Sequence, residues 1–378
     1  MAGGVALCVA GKSTKSKPLS VHRYTPRLKH EWDNFIQRAC NSTFLFQRDY
    51  MDYHRDRFAD HSMMVYRGEE LVAVLPANIR SDRTVVSHEG LTYGGLVILG
   101  SMTLSQTISC FHALLSELRR QEICTLRYKR IPAFYSRRPD DDLGYCLFLL
   151  DARLSRRDCS LVISLPNRVP LQKRRNRQAK KAIRAGLSIS QDFSFLPFWE
   201  QVLTPRLSER YGVPPVHTTA EITVLARRFP DHIKQFSVYD RGEIIAGMTI
   251  YETSTVAHAQ YIASTERGRK LGALDLLVNW LINQHYHKKL FFDFGCSNEQ
   301  EGRALNHGLL EWKEGFGARA CALDFYEVPT ANFSRLEPIL AVPQPALHDA
   351  FYEEPAPPRG HYAASEQMAG PIPDRNGL

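Results

Sequence analysis

The chain has 378 residues, 44% apolar and 23% charged, which is long enough for two domains and excludes fibrous and wholly disordered classes. Forty-eight Lys and Arg against forty Asp and Glu give a formal charge of +8, and the stretch from Arg168 to Arg184 alone holds eight bases and no acid. The remainder therefore balances to zero, and a charge gathered in one place points to one anionic contact.

The eight cysteines form no C-x-x-C pair and have no companion His at finger spacing, so no structural zinc site is expected and no metal is assigned. Free thiols suit a reducing, cytoplasmic compartment, extending to the inner membrane face. No apolar run nears the ~18 residues of a membrane span.

In chain order, residues 1–20 are read as disordered, and so is the proline-rich stretch 336–378. Helical spacing covers His30 to Cys40 and Arg48 to His54, and two strand-like runs follow, Ser62 to Tyr66 and Leu71 to Asn78, around the turn Arg67-Gly68-Glu69-Glu70. After the Gly-bearing run Leu91 to Leu96 come an amphipathic helix, Leu104 to Arg120, and a strand, Thr125 to Arg130. The order recurs downstream. Arg241-Gly242-Glu243-Ile244-Ile245-Ala246 echoes Arg67 to Ala73 with one residue fewer, and the strands Glu243 to Tyr251 and Ala257 to Ala263 lead into a Gly-bearing turn, Glu266 to Ala273. A helix from Ala273 to about Gln284 and a strand, Leu290 to Phe294, complete the second unit. The fold class expected is mixed α/β with two tandem lobes, 21–155 and 156–335, the second carrying a basic helix over 168–185; two unrelated domains sharing a hairpin turn are the alternative.

The turn before Ala273 is the most informative local feature. A helix start offers unpaired N–H groups and the positive end of its dipole, so it suits a pyrophosphate, and Arg267, Arg269 and Lys270 add charge. The spacing is neither G-x-G-x-x-G nor a Walker loop, so a dinucleotide fold or a nucleotide triphosphatase is not indicated. A plain strand-helix turn with solvated bases would look the same.

Arg269-Lys270-Leu271-Gly272-Ala273 after a strand, followed by a helix and Phe292-Asp293-Phe294-Gly295, resembles a GNAT-type N-acyltransferase. The run Phe291 to Gly295 with Asn306, Gly308, Lys313, Phe316-Gly317 and Asp324-Phe325-Tyr326 resembles the branch related to the Fem peptidoglycan aminoacyltransferases, over roughly residues 25 to 330. The resemblance implies two GNAT-like lobes and acyl-CoA, such as acetyl-CoA, as donor, held by Arg267, Gly268, Arg269, Gly272 and Ala273. Lys313 joins them because the Fem branch has a helical lysine against the donor, although a surface ion pair with Glu311 and Glu314 is its plain reading. The loop is R-x-x-G-A and not the fuller R-x-x-G-x-G/A, so coenzyme A competes with aminoacyl-tRNA as the donor implied.

Acyl transfer to an amine needs a proton acceptor and donors for the developing oxyanion. Asp293, which alternation places on one strand face with Phe291 and Gly295, is the expected base; Tyr261 is the expected proton donor to the leaving thiolate, and Glu299 follows in a polar loop at the strand end. Each also has a structural reading, as a buried carboxylate, a core tyrosine and a solvated acid. Cys296, His258 and His307 are read as isolated residues. Arg174, Arg177 and Lys181 on the basic helix, with Tyr93 and Asn306, are assigned to the acceptor, which the resemblance makes an amino sugar or peptide, nucleotide-linked or lipid-linked, in cell-envelope or polysaccharide assembly. The competing reading is a non-catalytic protein whose basic helix binds nucleic acid or an anionic membrane surface.

Overall fold

Apolar spacing of 3.6 residues places Trp32, Phe35 and Ile36 on the inner side of α1 (Lys29–Arg38), whereas the long strands Glu243–Glu252 and Val256–Ser264 are near-continuous apolar runs buried on both faces. The computed structural model describes residues 17–138 and 141–341; the expectations for residues 1–16 and 342–378 lie outside them. β1 (Leu19–Arg23) begins inside the stretch read as a disordered N-terminus, and α12 (Glu337–Ala341) lies inside the one read as a disordered tail.

After β1 and α1 come α2 (Arg48–Met51), β2 (Ala59–Asp60), β3 (Met63–Arg67), β4 (Glu70–Leu75), β5 (Asn78–Ile79), β6 (Val85–Val86) and β7 (Val97–Ile98). α3 (Leu104–Arg120) starts at a capping box, in which Thr103 receives the Gln106 N–H and the Gln106 side chain returns to the Thr103 amide. β8 (Thr125–Lys129), α4 (Asp142–Leu149) and the long β9 (Arg153–Ser164) follow.

The second half runs through α5 (Lys173–Arg184), β10 (Ser188–Asp192), α6 (Leu196–Phe198), α7 (Thr204–Tyr211), α8 (Thr219–Arg228), β11 (Ile233–Asp240), β12 (Glu243–Glu252) and β13 (Val256–Ser264). It closes with α9 (Glu266–Leu271), α10 (Ala273–Trp280), β14 (Phe291–Cys296), β15 (Asn298–Glu299), β16 (Ala304–Leu305), α11 (His307–Glu314) and β17 (Arg319–Pro329).

The sheets join what the sequence separates. One sheet has the order β10-β11-β12-β13-β14-β9-β17-β8-β6-β5-β2, and a second has β1-β3-β4-β7. Both expected lobes fall within one compact unit that ends at Leu340. The hairpin echo is present in three dimensions, shifted by one residue from the sequence alignment. Tyr66 faces Leu71 and Val65 faces Ala73, which bulges Val72; Tyr239 faces Ile244 and Val238 faces Ala246, which bulges Ile245.

Candidate functional site

β13 and β14 run parallel and pair only over Val256–His258 and Phe291–Asp293. Beyond that point β13 continues to Ser264 beside β12 alone, so the strands fork. A cavity of about 760 Å³ opens there, lined by Ala259 to Ser264, Phe294 and Lys313, with α5, α10 and α11 around it. The fork leaves backbone groups of β13 without a strand partner on that side, an edge able to bind an extended ligand.

The turn at the head of α10 forms one wall. Gly272 sits at φ 79°, in the left-handed region, and a Cβ there would lie 2.7 Å from the Gln178 carbonyl oxygen, so both conformation and the close approach of α5 call for glycine. Residues 266–271 form a helix where the sequence suggested an open loop. The Gly268 and Arg269 N–H groups bond to the Oγ1 and carbonyl of Thr265, both at 3.0 Å, and the Gly272 N–H reaches the Arg269 carbonyl at 3.3 Å. These amides are engaged inside the chain because Thr265 caps α9. The start of α10, at Ala273, Leu274 and Asp275, receives no side-chain cap, and these residues line the cavity.

Charge collects on the same wall. Arg174, Lys181, Arg206, Arg269 and Lys270 line the cavity; Arg174 pairs with Glu311 at 3.2 Å, and Lys181 donates to the Lys270 carbonyl at 2.8 Å. Arg267 turns away to Asp240 and Glu243 at the β11–β12 hairpin. Arg175 lies buried against Asp275 at 2.8 Å and ties α5 to α10. Arg177 is exposed and does not line the cavity, and Arg168 binds the Leu165 and Ile282 carbonyls behind the site.

Lys313 is 2% exposed, unlike a surface ion-pair lysine. Its Nζ donates to the Gly295 and Cys296 carbonyls at 2.9 and 2.8 Å, and burial lowers its ammonium to about 8 although Asp293 and Cys296 oppose the shift. Asn306 caps α11 by accepting the Leu309 N–H and bonds to the exposed Glu299 at 2.9 Å; neither lines the cavity. Tyr93 is core in the first half of the chain, bonded to Thr43 and 4.5 Å from the Tyr135 ring.

Asp293, 3% exposed, is the centre of a polar cluster. It accepts from Tyr135 Oη at 2.9 Å, from Ser160 Oγ, and from the Gly295 N–H at 2.8 Å, and it lies 2.9 Å from His258 Nδ1. Burial pushes the carboxyl up, but His258, Ser160 and the Gly295 amide outweigh it and hold it below the usual carboxylate range. Tyr261 lines the cavity, its hydroxyl 2.6 Å from His217 Nδ1, and burial raises its phenol. His258, read from the sequence as isolated, and His217, not singled out there, both have partners, which lie 35 and 44 positions away in the chain. Among the described residues no His, Cys, Asp or Glu group is arranged to hold a metal, and no helix is long and apolar enough to cross a membrane.

No known family profile matches the sequence, and no curated protein matches it. Its fold does match solved structures. FemX aligns at 11% identity with a TM-score of 0.59, over 85% of this chain and 100% of FemX. The DUF2156 C-terminal domain assigned to a lysylphosphatidylglycerol synthetase of Agrobacterium fabrum aligns at 12% identity with a TM-score of 0.54, over 84% of this chain and 96% of that domain. The chain has a FemX-like fold.

Proposed function

We propose that this chain, built on the FemX-like fold, is an acyltransferase that moves an acyl group from acyl-CoA to the amine of an amino sugar or peptide-like acceptor in cell-envelope or polysaccharide assembly. The observation that carries the reading is the forked-strand cavity with the uncapped head of α10 and a basic rim on one wall. A diphosphate suits the helix head and the bases Arg174, Lys181 and Arg269, Gly272 and Ala273 let it approach, and an amide-bearing arm suits the free edge of β13. Tyr261 also lines the cavity. The reaction belongs on the cytoplasmic side, at the inner membrane face where the acceptor is lipid-linked.

Titration calorimetry with acetyl-CoA tests this directly. Arg269→Glu is expected to weaken binding at least tenfold, and absence of binding by the wild type removes the acyl-CoA reading. A second donor is favoured by one observation: Lys173, Arg177, Lys180 and Arg184 lie exposed on α5 with no ion-pair partner among the described residues, a face suited to the backbone of aminoacyl-tRNA. If all four meet phosphates, log affinity falls with log salt at a slope of about −3 to −4, and an aminoacyl-tRNA that competes with acetyl-CoA identifies it as the donor. Salt-dependent retention on heparin without turnover of either donor would point to a non-catalytic binding protein.

A further inference from the structure

His258 and Asp293 are the last register pair before β13 and β14 separate, and the β13 residues that line the cavity begin at the next position, Ala259. Alternation alone would set His258 and Tyr261 on opposite faces of β13. The register shift prevents this: Tyr261 pairs with Thr249 while Ala259 pairs with Ile250, which makes Gln260 a bulge and brings His258 and Tyr261 to one face. Ala257 and Ala259 pack under α10 with Ala273 and Leu277, and Tyr261 packs on Trp199 on the other side of the sheet. The imidazole thus belongs to the face opposite the helices that would hold the donor.

Asp293 accepts four hydrogen bonds and has no free position from which to take a further proton. Its bond to Nδ1 makes that nitrogen the N–H of the neutral ring and leaves the Nε2 lone pair as the basic atom. We infer that His258, oriented by Asp293, is the general base that takes the proton of the acceptor amine, with Asp293 a positioning residue; the inference rests on the acyltransferase reading above. The neutral amine attacks the thioester carbonyl. The N–C bond forms, the C–S bond breaks, and sulfur leaves with the electron pair as thiolate. The proton shed by nitrogen passes to Nε2 and on to solvent, which returns one to the thiolate.

The titratable groups around the pair are Tyr135 on the far side of Asp293, Tyr251 opposite His258 on β12, Tyr261 along β13, Cys296 at the end of β14 and Lys313 on α11, with Tyr93 and Cys321 also within electrostatic range of Asp293. Tyr135 is raised by burial and then by Asp293, and Tyr251 by burial. Lys313, lowered to about 8, and Cys296, raised to about 12, titrate above the histidine range.

Thiol release from acetyl-CoA, with hydroxylamine as a small probe amine, the uncatalysed rate subtracted and the rate expressed per unprotonated hydroxylamine because its own ammonium form ionises within the range, is measured from about pH 5.5 to 8.5 beside calorimetric acetyl-CoA affinity. In His258→Gln, donor affinity is expected to stay within about twofold while turnover falls about 100-fold or more and the rise of the corrected rate with pH seen in the wild type disappears. Asp293→Asn should bind the donor and lose at least tenfold in turnover, because its amide N–H turns Nε2 into a donor. Wild-type turnover in His258→Gln, a reduced rate that keeps the same rise with pH, or a wild type that binds acetyl-CoA and releases no thiol each overturns the inference and leaves the donor site standing. A wild type that does not bind acetyl-CoA overturns the reading beneath it as well.

Discussion

Among the described residues, two buried lysines direct their ammonium groups at carbonyls and not at carboxylates. Lys313 bonds to Gly295 and Cys296, and Lys129 bonds to His88, Glu89 and Leu91; burial lowers both to about 8. The sign of the pH effect follows. Between about 8 and about 10.5 the unfolded chain binds more protons than the folded one, so each lysine adds stability as pH rises through that window. Replacing Lys313 by Met leaves two carbonyls unpaired and is expected to cost about 1–3 kcal/mol at pH 7. The gap from wild type should widen by about 1–2 kcal/mol by pH 9.5, as read from urea unfolding at both pH values; a constant gap would mean that the ammonium is not the buried form. The residue type at 313 was legible from the family resemblance, but its burial was not, since α11 carries Glu311 and Glu314 beside it and reads as a surface helix.

Among elements, α5 shows how one helix divides its charges. Arg175 goes inward to Asp275, Arg174 and Lys181 go to the cavity rim, and Arg177 faces solvent. Burial raises the Asp275 carboxyl against the pull of Arg175, so the pair fixes the position of α5 on α10 more than it adds stability. Arg175→Met is accordingly expected to cost about 3–5 kcal/mol by stranding a buried carboxylate, and adding Asp275→Leu should recover part of that loss. Denaturant curves for the two single variants and the double variant check this cycle, and a double variant no more stable than either single one would refute it. At the head of α3, Thr103→Ala should cost about 1 kcal/mol through loss of its capping box. The helix expected from about Leu104 to Arg120 is α3, because a long amphipathic period is a local property. α9 was not readable: its six residues contain Gly268, and its start depends on Thr265 accepting the Gly268 amide.

At the scale of the molecule, an apolar cluster runs from Trp32 and Phe35 on α1 through Tyr93 and Tyr135 to Trp199, Phe229 and Tyr261, and the large sheet crosses between the halves through β9, β17 and β8. Unfolding followed by tryptophan fluorescence and by far-ultraviolet circular dichroism should therefore show coincident transitions; separate midpoints would mark two independently stable lobes. The two hairpins and their echo, α3, the basic helix and the glycine at the head of α10 were all present in the chain itself, since each depends on residues within a few positions of one another. The fork between β13 and β14, the His258–Asp293 pair, the burial of Lys313 and the turning of Arg267 away from the cavity were decided by tertiary structure. They follow from where a parallel pairing stops, from one bulge at Gln260 and from contacts between residues far apart in the chain, and no local pattern of side chains encodes where those meet.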